Sequence, residues 1–137
     1  MQKELIEWIV NYIKSKDAFS KTLLSTDIRE DRILFTYKDR KHLYLIRPKL
    51  DAFRKEDVQK DETVTCVTIN SEENLLFLVK HWNTFLIPKL SLFFIDLDHS
   101  SRWVVSPLVH NRIADPESLE QGLRALADAA QGKIFIL

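Results

Sequence analysis

The sequence predicts a mixed α/β domain, an α+β mixed sheet with helices on both sides, and three observations carry that prediction. Residues 90–96 are apolar at nearly every position. A strand with no polar face must be covered on both sides, which places it mid-sheet. Residues 63–70 form a second strand, rich in β-branched Val, Thr and Ile. Between them Leu75, Leu76, Leu78, Val79, Trp82 and Phe85 recur at helical spacing and make one wide apolar stripe. Strand, helix, buried strand is the spine of the fold.

Composition bounds the rest. The chain has 137 residues, 45% of them hydrophobic and 29% charged, which is enough to bury a core in one domain spanning 1–137. Two glycines and four prolines leave no material for long flexible linkers. The one cysteine, Cys66, excludes an intrachain disulfide and a cysteine zinc cluster. Twenty basic and 20 acidic side chains cancel, against a dedicated nucleic-acid coat or a polybasic membrane anchor. Lys3, Glu4 and Glu7 break any signal-peptide core. No apolar run reaches the roughly 20 residues that span a bilayer. The expectation is a cytoplasmic protein with no membrane association.

Taken in order, residues 2–16 read as a helix that packs Leu5, Ile6, Ile9, Tyr12 and Ile13 on the core. Residues 17–29 lack clean periodicity and read as a connector. Residues 31–48 read as a β-hairpin, with strands at 33–37 and 42–46 around a polar turn at 38–41. Pro48 ends the second strand, since it has no N–H for the ladder. The charged stretch 49–62 reads as a mobile loop or a short surface helix. Asn70 or Ser71 caps the central helix, Asn70 with Glu73 as a capping box, and Pro88 marks its exit. Residues 102–106 return as a strand, and 108–114 form a loop. Asp115 and Pro116 then open a last helix, with Leu119, Leu123, Leu126, Ala127 and Ala130 buried. Gly132 stops it, and 133–137 add a short strand. The predicted order is α-β-β-β-α-β-β-α, with a final β.

That succession, with the placement of two residues, resembles the PD-(D/E)xK nuclease superfamily of restriction endonucleases and archaeal Holliday-junction resolvases. In that family an acidic residue stands where one hairpin strand begins, and an acidic-x-Lys triplet ends the next. Here Asp31 precedes the first strand, and Arg47, Pro48 and Lys49 close the second. The resemblance implies a restriction-endonuclease-like topology, with Asp31 and Lys49 in catalytic positions and Mg²⁺ or Mn²⁺ as cofactor. Arg47 stands where the second carboxylate belongs. A guanidinium there repels a divalent cation instead of ligating it, and it is suited to pair with Asp31 and seal the site. Asp27 and Glu30 are the acids near enough in sequence to substitute.

Three further groups attract a functional reading. Lys38, Arg40, Lys41, Arg47, Lys49, Arg54 and Lys55 make a local basic cluster for phosphates, with Tyr37, Tyr44 and Phe53 as stacking groups. Its alternative is a solvated turn with those rings in the core. Asp96, Asp98, His99 and His110 offer oxygen and imidazole ligands for a metal at a strand end, although Asp98 and His99 are also ordinary turn residues. Trp103 and Val105 fall on a strand near the sheet edge, where large apolar side chains form an interface with a homodimer mate or a protein partner. Cys66 reads as a small buried hydrophobe, and no glycine-rich phosphate loop exists. The reading favours a non-catalytic interaction module without a cofactor. The alternative is a divergent metal-dependent nuclease or nucleic-acid-binding domain.

Overall fold

A computed structural model describes residues 1–130 as a six-stranded mixed sheet with helices on both faces. The strands cross the sheet in chain order: β1 Leu23–Ile28, β2 Arg32–Tyr37, β3 Lys41–Ile46, β4 Val64–Ile69, β5 Leu90–Asp96 and β6 Ser101–Val105. β1, β2 and β3 form an antiparallel meander. β3, β4 and β5 run parallel, and β6 returns antiparallel along β5. β4 and β5 are buried along almost their whole length, as their apolar composition requires.

Side chains alternate across the pleat and build two cores. Helix α1, Gln2–Ser20, lays Leu5, Ile9 and Ile13 on Ile33, Phe35, Tyr44, Ile46, Val67, Phe93 and Ile95. Helices α2, Glu72–Lys80, and α4, Leu119–Ala130, cover the other face. There Leu75, Leu78 and Leu123 meet Leu43, Leu45, Cys66, Leu92, Phe94 and Trp103. No helix among the described residues is long and apolar enough to cross a membrane.

Several local expectations are corrected. Residues 17–29 are no connector. Asp17 accepts from the N–H groups of Thr22 (3.0 Å) and Leu23 (3.1 Å), Lys21 takes a left-handed φ of 50°, and the chain passes straight from α1 into β1. β1 is an edge strand with no buried residue, so it has no alternation to read. The stretch 108–114, expected as a loop, lies mostly in helix α3, Pro107–Ile113. Only Pro107 of that helix is buried, so it too carries no periodic signal. The cap of α2 is Ser71, whose Oγ accepts from Asn74 N (3.2 Å), whereas Asn70 accepts from Trp103 Nε1 (3.0 Å). α2 stops at Lys80, and Trp82–Phe85 continue as a 3₁₀ turn. Asp115 caps a 3₁₀ turn, Pro116–Ser118, that leads into α4. In residues 49–62 the short-helix alternative takes the form of two 3₁₀ turns, the first of which sets Leu50 and Phe53 in the core. The expected stop at Gly132 and strand at 133–137 lie outside the described residues.

Candidate functional site

β2 and β3 pair antiparallel, with Arg32 opposite Leu45. The start of one strand therefore meets the end of the other, and Ile46 N donates to Asp31 O (2.9 Å). Asp31 enters β2 and Arg47 leaves β3, so the hairpin brings them together. Arg47 is 8% exposed. Its Nη1 donates to the main-chain oxygens of Ile46 (3.0 Å) and Asp31 (3.2 Å) and lies 3.6 Å from Asp31 Oδ2. Its Nη2 donates to Asp57 Oδ2 (3.2 Å). Asp31 also accepts from Arg32 Nε (3.1 Å) and Nη2 (3.3 Å). The Arg32 hydrogen bond, aided by the charges of Arg32 and Arg47, outweighs partial burial and holds the Asp31 carboxyl below its ordinary range. Lys49 is exposed and makes no ion pair among the described residues.

The guanidinium thus sits between two carboxylates, those of Asp31 and Asp57. No family model, no curated protein and no solved structure matches the chain.

Asp57 is the partner that sequence reasoning missed. Its only mark is its position three residues after Arg54, whose N–H it accepts (3.2 Å) to cap a 3₁₀ turn. Neither acid named as a substitute ligand joins the site. Asp27 is exposed and pairs with Arg29 (3.2 Å), and Glu30 is exposed.

The basic cluster divides in two. Lys38, Arg40 and Lys41 gather at the β2–β3 turn, whereas Arg47, Lys49, Arg54 and Lys55 follow the far end of β3, roughly 20 Å away at strand spacing. Arg47 is engaged internally, and Arg54 Nη1 donates to the main-chain oxygens of Asp51 (2.6 Å) and Phe53 (3.0 Å). Phe53 is a core ring stacked on Phe85 (5.0 Å), so it cannot stack a base. Tyr37 and Tyr44 line a cleft at the turn end.

The four metal candidates do not assemble. His99 Nδ1 and Asp96 Oδ2 are 2.8 Å apart within the β5–β6 turn, and Asp98 is exposed beside them. His110 is on α3, beyond the end of β6 that pairs with Leu92, and packs its edge on Trp82 (5.8 Å). Leu92 and Asp96 lie about 13 Å apart at strand spacing, so α3 starts from the opposite end of β5. Among the described residues no group of three or more His, Cys, Asp or Glu is placed to hold a metal ion. The interface expectation for Trp103 and Val105 is also corrected. Both are 4% exposed, Trp103 stacks on Phe94 (4.1 Å), and α4 packs over β6. Val104, between them, is the side chain that faces outward.

Proposed function

We propose that the chain is a non-catalytic, cytoplasmic interaction module on a nuclease-like topology, with its hydrolytic position occupied by an ion-paired arginine. The observation that carries this reading is the placement of Arg47, buried and engaged by Asp31, Asp57 and two main-chain oxygens. Mg²⁺ or Mn²⁺ would have to displace that cation before Asp31 could ligate it. The nuclease kinship draws support from the pairing of β2 with β3, which sets Asp31 beside the end of the strand that carries Arg47 and Lys49. β1, inserted between α1 and the hairpin, departs from the predicted order.

The experiment is incubation with branched and single-stranded DNA in Mg²⁺ or Mn²⁺. No cutting is expected, and neither ion should raise the melting temperature. Cleavage that disappears in Asp31→Ala would establish the nuclease alternative.

A protein partner or a second copy is the ligand class of such a module. The surface that favours it is the outer edge of β1, where Leu24 (62% exposed) and Ile28 (51% exposed) face solvent. Light scattering at two concentrations tests self-association. A species larger than one chain that Leu24→Lys disperses supports the edge, and one that survives the change moves the contact elsewhere.

A further inference from the structure

At the end of the sheet away from Arg47, a cavity of about 470 Å³ opens between the last turns of α1 and the leading ends of β3, β4 and β5. That volume is far more than an inorganic anion fills and falls in the range of small-ligand sites. Its walls carry Lys16, Arg40 and Arg102 against one carboxylate, Asp17. Asp17 is already saturated, accepting from Ser20 Oγ (3.1 Å), Thr22 N (3.0 Å) and Leu23 N (3.1 Å). Lys16 and Arg102 have no carboxylate partner among the described residues, and Arg40 pairs only with the exposed Asp39 (3.1 Å). With Asp17 and Asp39 set against Lys16, Arg40 and Arg102, the cavity keeps one positive charge in excess.

Two of the cations are also flat plates backed by rings. The Arg40 guanidinium lies 4.1 Å from the Tyr37 ring centroid, and that of Arg102 lies 4.9 Å from Tyr12. Arg102 Nη2 donates to the Tyr12 hydroxyl (2.9 Å), which fixes its position. Guanidinium planes of this kind stack on nucleobases while they attract phosphate.

The floor is a polar row on three neighbouring strands. His42 Nε2 is 2.7 Å from Thr65 Oγ1, which is 2.9 Å from Ser91 Oγ. His42 Nδ1 keeps no hydrogen-bond partner among the described residues. Polar groups in this density weaken a core but suit the base or sugar edge of a ligand.

We propose that this cleft binds a nucleotide, its phosphate held by Lys16 and Arg102 and its base stacked on a guanidinium plate above the His42–Thr65–Ser91 row. The nucleotide is either a free nucleoside monophosphate or the phosphorylated end of a single strand, since both present the same phosphate and base. This site lies apart from Arg47 and stands whether or not the module reading holds.

Calorimetric titration of the full chain at low salt tests it, with AMP, UMP, adenosine, inorganic phosphate, and a thymidine hexamer with and without a 5′-phosphate. AMP or UMP should saturate below about 1 mM and bind at least about tenfold tighter than adenosine or phosphate alone. The Lys16→Gln/Arg102→Gln variant should lose at least that factor while remaining folded, with a melting temperature lowered by no more than a few degrees for the lost Arg102–Tyr12 contact. A 5′-phosphorylated hexamer that outbinds AMP assigns the strand end, and the reverse order assigns the free nucleotide. No saturable binding of any probe overturns the proposal. So does phosphate binding as tightly as AMP, or unchanged affinity in the double variant.

Discussion

His42 is half-buried and stacks on Tyr44 with ring centroids 4.5 Å apart, which cuts down the hydration of an imidazolium. Burial first, then the charges of Arg40 and Lys16, push its pKa down to about 4. In the unfolded chain a histidine titrates near about 6.5. Between those values the unfolded state binds a proton that the native state refuses, so stability falls as pH drops from about 6.5 to about 4. The full effect is up to about 3 kcal/mol, and urea denaturation across that window should show it. His42→Phe should remove most of the slope, and a wild-type protein of constant stability over the same range would contradict the assignment. Cys66 is fully buried, which pushes its thiol up to about 12. A thiol reagent should label it only after denaturation, and rapid labelling of the native protein would disprove that burial. At this scale Asp31 and Arg47 were legible, because a hairpin joins its two open ends whatever the rest of the chain does. Asp57 was not, since its approach depends on the path of the crossover between β3 and β4.

The same crossover is held by one side chain of α2. Asn74 is 5% exposed. Its Oδ1 accepts from Leu50 N (2.9 Å), and its Nδ2 lies 3.0 Å from Pro48 O and 2.8 Å from Ile69 O. Pro48 O also accepts from Thr68 Oγ1 (3.1 Å). The chain leaving β3 is thereby tied to the end of β4 and the first turn of α2. Asn74→Ala strands a buried N–H and weakens two carbonyl contacts, at a cost of about 3 kcal/mol by denaturant titration. A loss under about 0.5 kcal/mol would show the tie to be dispensable. Ser71→Ala, which removes only the cap, should cost about 1 kcal/mol. Elements that bury a stripe, α1 and α2, were readable from spacing, although Leu76, counted in the α2 stripe, is exposed and Trp82 and Phe85 fall in the 3₁₀ turn beyond it. β1 and α3 were not, because an exposed edge strand and a helix with one buried residue impose no pattern on their sequence.

Across the molecule, α4 determines what β6 presents. Leu123 is fully buried against the sheet face that carries Trp103, Val105 and Phe94. A guanidinium of the same helix, Arg124, pairs with Glu72 of α2 (2.6 Å) and Glu120 (3.0 Å). Both carboxylates are largely exposed, so the packing of Leu123 outweighs those pairs. Leu123→Ala should cost about 3 kcal/mol and shift the Trp103 fluorescence toward that of a wetter indole. Unchanged emission would mean that α4 does not seal this face. The edge position of β6 followed from the order of strands. Which of its faces water reaches depended on a helix that arrives later in the chain.

The sequence by itself determined the mixed α/β class, the central pair of buried strands, the apolar faces of α1 and α2, and the meeting of Asp31 with Arg47. Each of these follows from local periodicity or from the closure of one hairpin, which nearby residues encode. The tertiary structure alone decided that Asp57 completes the Arg47 site, that Trp103 is sealed under α4, and that Lys16, Arg40 and Arg102 surround one cleft. Those side chains lie on different elements, and only the path of the crossover after β3 and the docking of the helices onto the sheet bring them together.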